Sequence, residues 1–122
     1  MDDSLSIQVL KREFKEPLEK AVRYYSMISI WNNLKLTERE VQLLSYTAIR
    51  GTISSLSSKE EFSRLFHSSP ATINNIISRL SSIGLLTKSG GKYRVNEQIN
   101  LDFSKNLVIG FKLFNKTSNG EI

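Results

Sequence analysis

The sequence has no cysteine, one histidine, one tryptophan and two prolines in 122 residues. Without cysteine there is no disulfide framework and no thiolate metal site. With His67 as the single histidine, one chain cannot assemble a multi-histidine metal site. A turn or packing role for His67 is the simpler reading. No apolar run approaches the roughly 18 residues of a membrane span. The opening "MDDSLSIQVLKREF" lacks the basic head and apolar centre of a signal peptide. The expectation is a soluble, cytoplasmic protein with no membrane partner. The length suits one modest core with extensions.

Acidic residues are missing from one long interval. Residues 1–61 balance nine basic against nine acidic side chains, whereas Arg64 to Lys116 holds eight basic residues against Glu97 and Asp102. Between Arg64 and Arg94 there is no carboxylate side chain at all. This asymmetry favours a polyanion near the second half of the chain.

Apolar spacing then orders the elements. Leu10, Phe14, Leu18, Val22, Tyr25 and Ile28 recur at three- and four-residue intervals, which predicts a helix strongest over 16–32. Pro17 fits its first turn. The aromatic and β-branched content of "VRYYSMISIW" also allows a strand, but helix is preferred. Trp31 and "RYY" at 23–25 are read as packing residues, with an interaction surface as the alternative. "LTEREVQLLSYTAIRG" predicts a second helix. Thr37 caps it, Glu40 closes a capping box, Leu36 and Val41 form a staple, and Gly51 stops it. Val41, Leu43, Leu44, Ala48 and Ile49 supply its apolar face.

In "SSLSSKEEFSRLFH", Ser57 or Ser58 is the expected cap, with Glu60 or Glu61 reciprocating. Phe62, Leu65 and Phe66 are expected to face inward. "SSPATINNIISRLSSIGLL" follows, with Ser69 as cap and Pro70 at the first helical position. Ile73, Ile76, Ile77, Leu80 and Ile83 form its stripe, and Gly84 ends it. "LLTKSGGKYRVN" reads as a hairpin turning on Gly90-Gly91. Its expected register sets Leu86 beside Val95 and Lys88 beside Tyr93. Thr87, Ser89, Lys92 and Arg94 then share the solvent face. In "NLVIGFKLFNK", alternation from Leu107 to Phe114 predicts a C-terminal strand that needs cover on both sides.

Residues 36–96 resemble the winged helix-turn-helix class, closest to MarR-type bacterial regulators. The resemblance rests on "LTEREVQLLSY", "SSKEEFSRLFH", "SPATINNIISRLSSIGLL" and "TKSGGKYRV" in that order, about half the chain. It implies an α+β winged helix-turn-helix core (36–96), to which the apolar spacing adds an N-terminal helical extension (1–35) and a C-terminal β-strand and tail (97–122). It also implies that the third helix of the core enters a DNA groove while the wing meets the backbone. Carried onto this chain, the nucleic-acid-binding positions are Ser69, Thr72, Asn75, Ser78 and Arg79 on the helix. Lys88, Lys92 and Arg94 belong to the wing. Asn75 carries the two-sided amide suited to adenine, and Arg79 suits guanine or phosphate. The wing cations would supply affinity and placement.

The helix departs from a strongly cationic reader in holding one basic residue, Arg79. Its small polar face also suits a protein surface. Two functions therefore stand side by side. One is a non-catalytic transcriptional or architectural DNA-binding protein. The other is a structural or adaptor subunit of a phage particle or other large assembly, located in the virion. A homo-oligomer is open in either case, through the N-terminal helix and C-terminal strand. No catalytic residue, metal ligand or cofactor site is expected. "SKEE" suits helix capping, and "KSGGK" lacks the length and following Ser/Thr of a P-loop.

Overall fold

A computed structural model describes residues 3–110, with side chains from Phe14 onward. The described chain is α+β, with four helices followed by a two-stranded antiparallel sheet. The helices are α1 (Asp3–Trp31), α2 (Glu38–Arg50), α3 (Leu56–Phe66) and α4 (Pro70–Ser82). The strands are β1 (Leu86–Ser89) and β2 (Lys92–Val95), followed by a 3-10 turn at Glu97–Ile99. Among the described residues, no helix is long and apolar enough to cross a membrane.

The "VRYYSMISIW" segment is helical, as preferred, but α1 is longer than its spacing predicts. It starts at Asp3, so Pro17 sits in its interior rather than in its first turn. Proline removes one backbone donor there. Packing compensates on both sides of it. Phe14 meets the Tyr46 ring edge-on at 6.0 Å, and Ala21 and Tyr25 are fully buried. Trp31, read as a packing residue with an interaction surface as the alternative, is 53% exposed beside Ile30 at 77%.

The cap of α2 is the one its sequence encodes. Thr37 N–H donates to Glu40 Oε1 at 2.8 Å, and Glu40 N–H donates to the Thr37 hydroxyl at 3.2 Å. Val41, Leu43 and Leu44 enter the core, joined by Tyr46 from the same helix. Gly51 ends α2 with φ 97°, a conformation that favours glycine.

Helix α3 begins earlier than expected. Its cap is Ser55, whose hydroxyl accepts from Ser58 N–H at 3.1 Å, not Ser57 or Ser58. A run of serines offers several equivalent caps, and tertiary contacts choose among them. Ser58 lies in the first turn with its carbonyl 3.2 Å from the Tyr46 hydroxyl. Glu61 is consequently not a capping partner. It accepts from the Tyr46 hydroxyl and forms a two-point pair with Arg50 at 2.9 and 3.0 Å. Arg50 also lies 4.4 Å over the Phe14 ring, so one guanidinium joins α1, α2 and α3. Of the apolar residues of α3, Phe62 is buried and Phe66 is partly covered. Leu65, expected inside, is 41% exposed.

The core fills the space among these helices and the base of the hairpin. It includes Tyr25, Leu43, Leu44, Tyr46, Ile53, Phe62, Ile73, Leu80, Leu86 and Phe103. Beyond β2, the chain returns across α1. Tyr25 donates its hydroxyl to Ile99 O at 2.8 Å, and Phe103 packs against both Tyr24 and Tyr25. The alternation from Leu107 onward produces no strand over 107–110, and Phe111 to Phe114 lie outside the described residues. Alternation assigns faces to a strand but does not provide the neighbour whose backbone completes a ladder.

Candidate nucleic-acid interface

Helix α4 has two chemically distinct sides. Ile73, Ile76, Ile77 and Leu80 are buried, whereas Thr72, Asn75 and Ser78 are exposed, as are Ala71 and Asn74. Ile83, expected to extend the inner stripe, is 41% exposed because the helix ends at Ser82. Ser69 caps the first turn by accepting from Thr72 N–H at 3.2 Å. Its hydroxyl also donates to the Thr72 hydroxyl at 2.9 Å. These two residues therefore build the start of the helix, with their remaining hydrogen-bonding capacity facing solvent. Asn75 and Ser78 have no side-chain hydrogen-bond partner among the described residues. Asn74, adjacent to them, accepts from the Lys59 ammonium at 3.2 Å.

Arg79 occupies a different environment from the other four helix positions. Its guanidinium donates to Glu40 Oε1 and, at 3.3 Å, to Leu34 O. The arginine thus anchors α4 to the entrance of α2. Its side chain retains 41% exposure while that of Glu40 retains 7%. Burial pushes the Glu40 carboxyl up, but hydrogen bonds from Arg79 and Thr37 outweigh this and hold it below the usual glutamate range. The outer surface of α4 consequently carries no free cation of its own.

The turn between α3 and α4 is also held by α2. Arg39 donates to Phe66 O and to the Ser68 hydroxyl, while Ser63 donates to Ser68 O at 2.7 Å. His67 ends α3 in the left-handed region at φ 54°, a turn role consistent with its position before the cap. These contacts set the direction in which α4 leaves α3. The Arg39 contacts could not be read from local spacing, because Arg39 lies 27 residues from Phe66.

The hairpin has the register its sequence predicts. Leu86 pairs with Val95, Thr87 with Arg94, Lys88 with Tyr93 and Ser89 with Lys92. Gly90 and Gly91 both have positive φ, at 58° and 77°, as a tight two-residue turn demands. Leu86 and Val95 are buried, while Thr87, Ser89, Lys92 and Arg94 are exposed. Lys88 places its ammonium 5.2 Å from the Tyr93 ring centre. Lys92 and Arg94 have no side-chain hydrogen bond or ion pair with any described residue.

Backbone bonds fasten the hairpin to the helix. Leu85 N–H donates to Leu80 O, and Asn96 N–H donates to Leu85 O, both at 2.9 Å. The Asn96 side chain donates to Gly84 O at the same distance. On the other edge, Ile53 N–H donates to Tyr93 O at 3.2 Å and Tyr93 N–H donates to the Ser54 hydroxyl. The short 52–54 linker therefore acts as a partial third edge to the sheet. Sequence reading missed it; the β-branched pair Thr52-Ile53 was its only local signal. No protein family, curated protein or solved structure matches the chain.

Proposed function

We propose that the protein is a non-catalytic DNA-binding protein with a winged helix-turn-helix fold. In this reading α3 and α4 form the helix-turn-helix, α4 enters the major groove, and β1–β2 is the wing. Its role is transcriptional or architectural. The observation that carries the proposal is the pair of cations on the exposed hairpin face, Lys92 and Arg94, which have no partner among the described residues. The hairpin carrying them is hydrogen-bonded to the end of a helix whose outer surface is neutral and polar. Cations not engaged by the described residues are available for phosphate, and a helix face without carboxylates does not repel it.

The proposed division of labour differs from that expected of the sequence at one residue. Ser69, Thr72, Asn75 and Ser78 remain candidates for groove contact. Arg79 is assigned to positioning, since its guanidinium holds Glu40 and Leu34 O. Lys88, Lys92 and Arg94 supply the electrostatic contact.

The test is binding of the full chain to duplex DNA across a salt series. The affinity should fall as salt rises, and each phosphate-contacting wing cation removed should reduce the slope by about one. Lys92→Ala with Arg94→Ala should weaken all duplexes alike. Absence of binding at low ionic strength would overturn the proposal.

A second reading has its own support. Val108 is 101% exposed between Leu107 at 38% and Ile109 at 39%, while Ile30 and Trp31 form another exposed apolar pair. Such surfaces suit protein contacts in a structural or adaptor subunit of a large assembly. Sedimentation of the full chain tests this. Self-association abolished by Val108→Asp in a chain that does not bind duplex DNA would support this reading; a chain that binds DNA would argue for the first.

A further inference from the structure

The four bases of a duplex ask for different hydrogen-bonding groups in the major groove. Guanine offers two acceptors, best met by the paired donors of arginine or by lysine. Adenine offers one acceptor and one donor, which match the two ends of a carboxamide. Thymine adds a methyl group that prefers an apolar neighbour.

Helix α4 lacks a free group of the first kind. Arg79 is its only basic residue, and both Glu40 and Leu34 O engage that guanidinium. The nearby Lys59 ammonium donates to Asn74 Oδ1. That bond also occupies the carbonyl end of Asn74 and makes it a poorer partner for adenine. Asn75 is different. It is exposed and has no side-chain hydrogen-bond partner among the described residues, so both amide ends are available. The exposed methyl of Ala71 lies one helical turn before it, and the exposed Ser78 hydroxyl lies one turn after. The row therefore offers a methyl contact, a two-sided amide and a small hydroxyl, with no unpaired cation to favour guanine.

Resting on the DNA-binding reading above, we infer that α4 discriminates in favour of A·T base pairs, with Asn75 reading adenine through its carboxamide. The wing cations then set affinity without sequence preference. Asn75 sets the preference while contributing little to the salt dependence, because an amide releases no counterion. Arg79 positions the reading helix without itself touching guanine.

The test is selection from a random pool of duplexes by the full-length chain at low ionic strength, followed by affinity measurement on the enriched duplex. The expected result is an A·T-enriched position that disappears with Asn75→Ala. On the enriched duplex, that variant should bind roughly fivefold or more weakly, the lower end of what a bidentate amide–adenine contact contributes. Replacing the adenine by 7-deazaadenine, which lacks the major-groove acceptor, should weaken the wild type similarly and the variant little further. Circular dichroism checks that the exposed-site variant retains its fold. Enrichment of guanine, or A·T enrichment unchanged by Asn75→Ala, would overturn the inference. DNA retained with no enrichment would overturn it too, while leaving the DNA-binding reading intact. No DNA retained from the pool would overturn that reading and the inference with it.

Discussion

Three arginines of the helical layer and two cations of the hairpin have opposite surroundings. Arg39 closes the α3–α4 turn, Arg50 joins Glu61 and the Phe14 ring, and Arg79 ties α4 to Glu40 and Leu34 O. Each links separate segments of the fold. Lys92 and Arg94 on the hairpin link nothing among the described residues. Net charge alone is therefore a poor guide to an interface. Three arginines carrying formal charge have structural partners, while two hairpin cations remain open to solvent.

Arg79→Ala should have the largest effect on stability. It would leave the Glu40 carboxylate, 7% exposed, with only its capping contacts. We expect a loss of about 2 kcal/mol in urea unfolding, below the range for a fully buried pair because Arg79 is part-exposed. A stability unchanged within about 0.5 kcal/mol would show that the pair is structurally idle. Arg50→Ala should have a smaller effect, about 1 kcal/mol by the same measurement, because both members of its ion pair retain substantial solvent access.

Acid should weaken the helical layer in the same direction. The Arg50 hydrogen bond leads the depression of the Glu61 carboxyl, with Tyr46 assisting against burial. Glu40 is also held low. Their ionised forms are therefore favoured more in the folded chain than in the unfolded one. The resulting stability is present above the ordinary glutamate range, about pH 4.3, and is lost as pH falls through the lower folded values. Thermal melts from about pH 6 downward should show a falling midpoint, with a shallower fall in Glu61→Gln. Equal slopes in both proteins would remove Glu61 as a cause.

The smallest stability effect belongs to the hairpin. Lys92→Ala and Arg94→Ala together should shift unfolding by no more than about 0.5 kcal/mol. Their proposed DNA affinity should nevertheless decline. A large destabilisation would mean that these side chains are structural after all and would erase the contrast with Arg50 and Arg79.

The sequence made local relationships legible. Thr37 and Glu40 are three positions apart, Ser69 directly precedes Pro70, and Gly90-Gly91 fixes the hairpin register. Each feature acts over one turn of backbone, so its spacing carries its geometry. The partner of Arg79 was not legible because Glu40 lies 39 residues away, and an arginine on a helix looks equally suited to phosphate or carboxylate. Ser55 was obscured by neighbouring serines, and the predicted strand at Leu107 lacked information about a pairing edge. The candidate site was therefore visible as a set of positions. Which charges remained available within it depended on tertiary contacts.

The return of Phe103 to Tyr24 and Tyr25 has a consequence for the order of folding. Tyr25 and Ile99 are 74 residues apart when their hydrogen bond forms, whereas the α2 cap and the hairpin close over a few residues. During synthesis, α1 is made first but cannot acquire its complete set of neighbours until Phe103 has left the ribosome. The first helix can pack against α2 as soon as that helix is made, but its contacts with Ile99 and Phe103 must wait for those later residues.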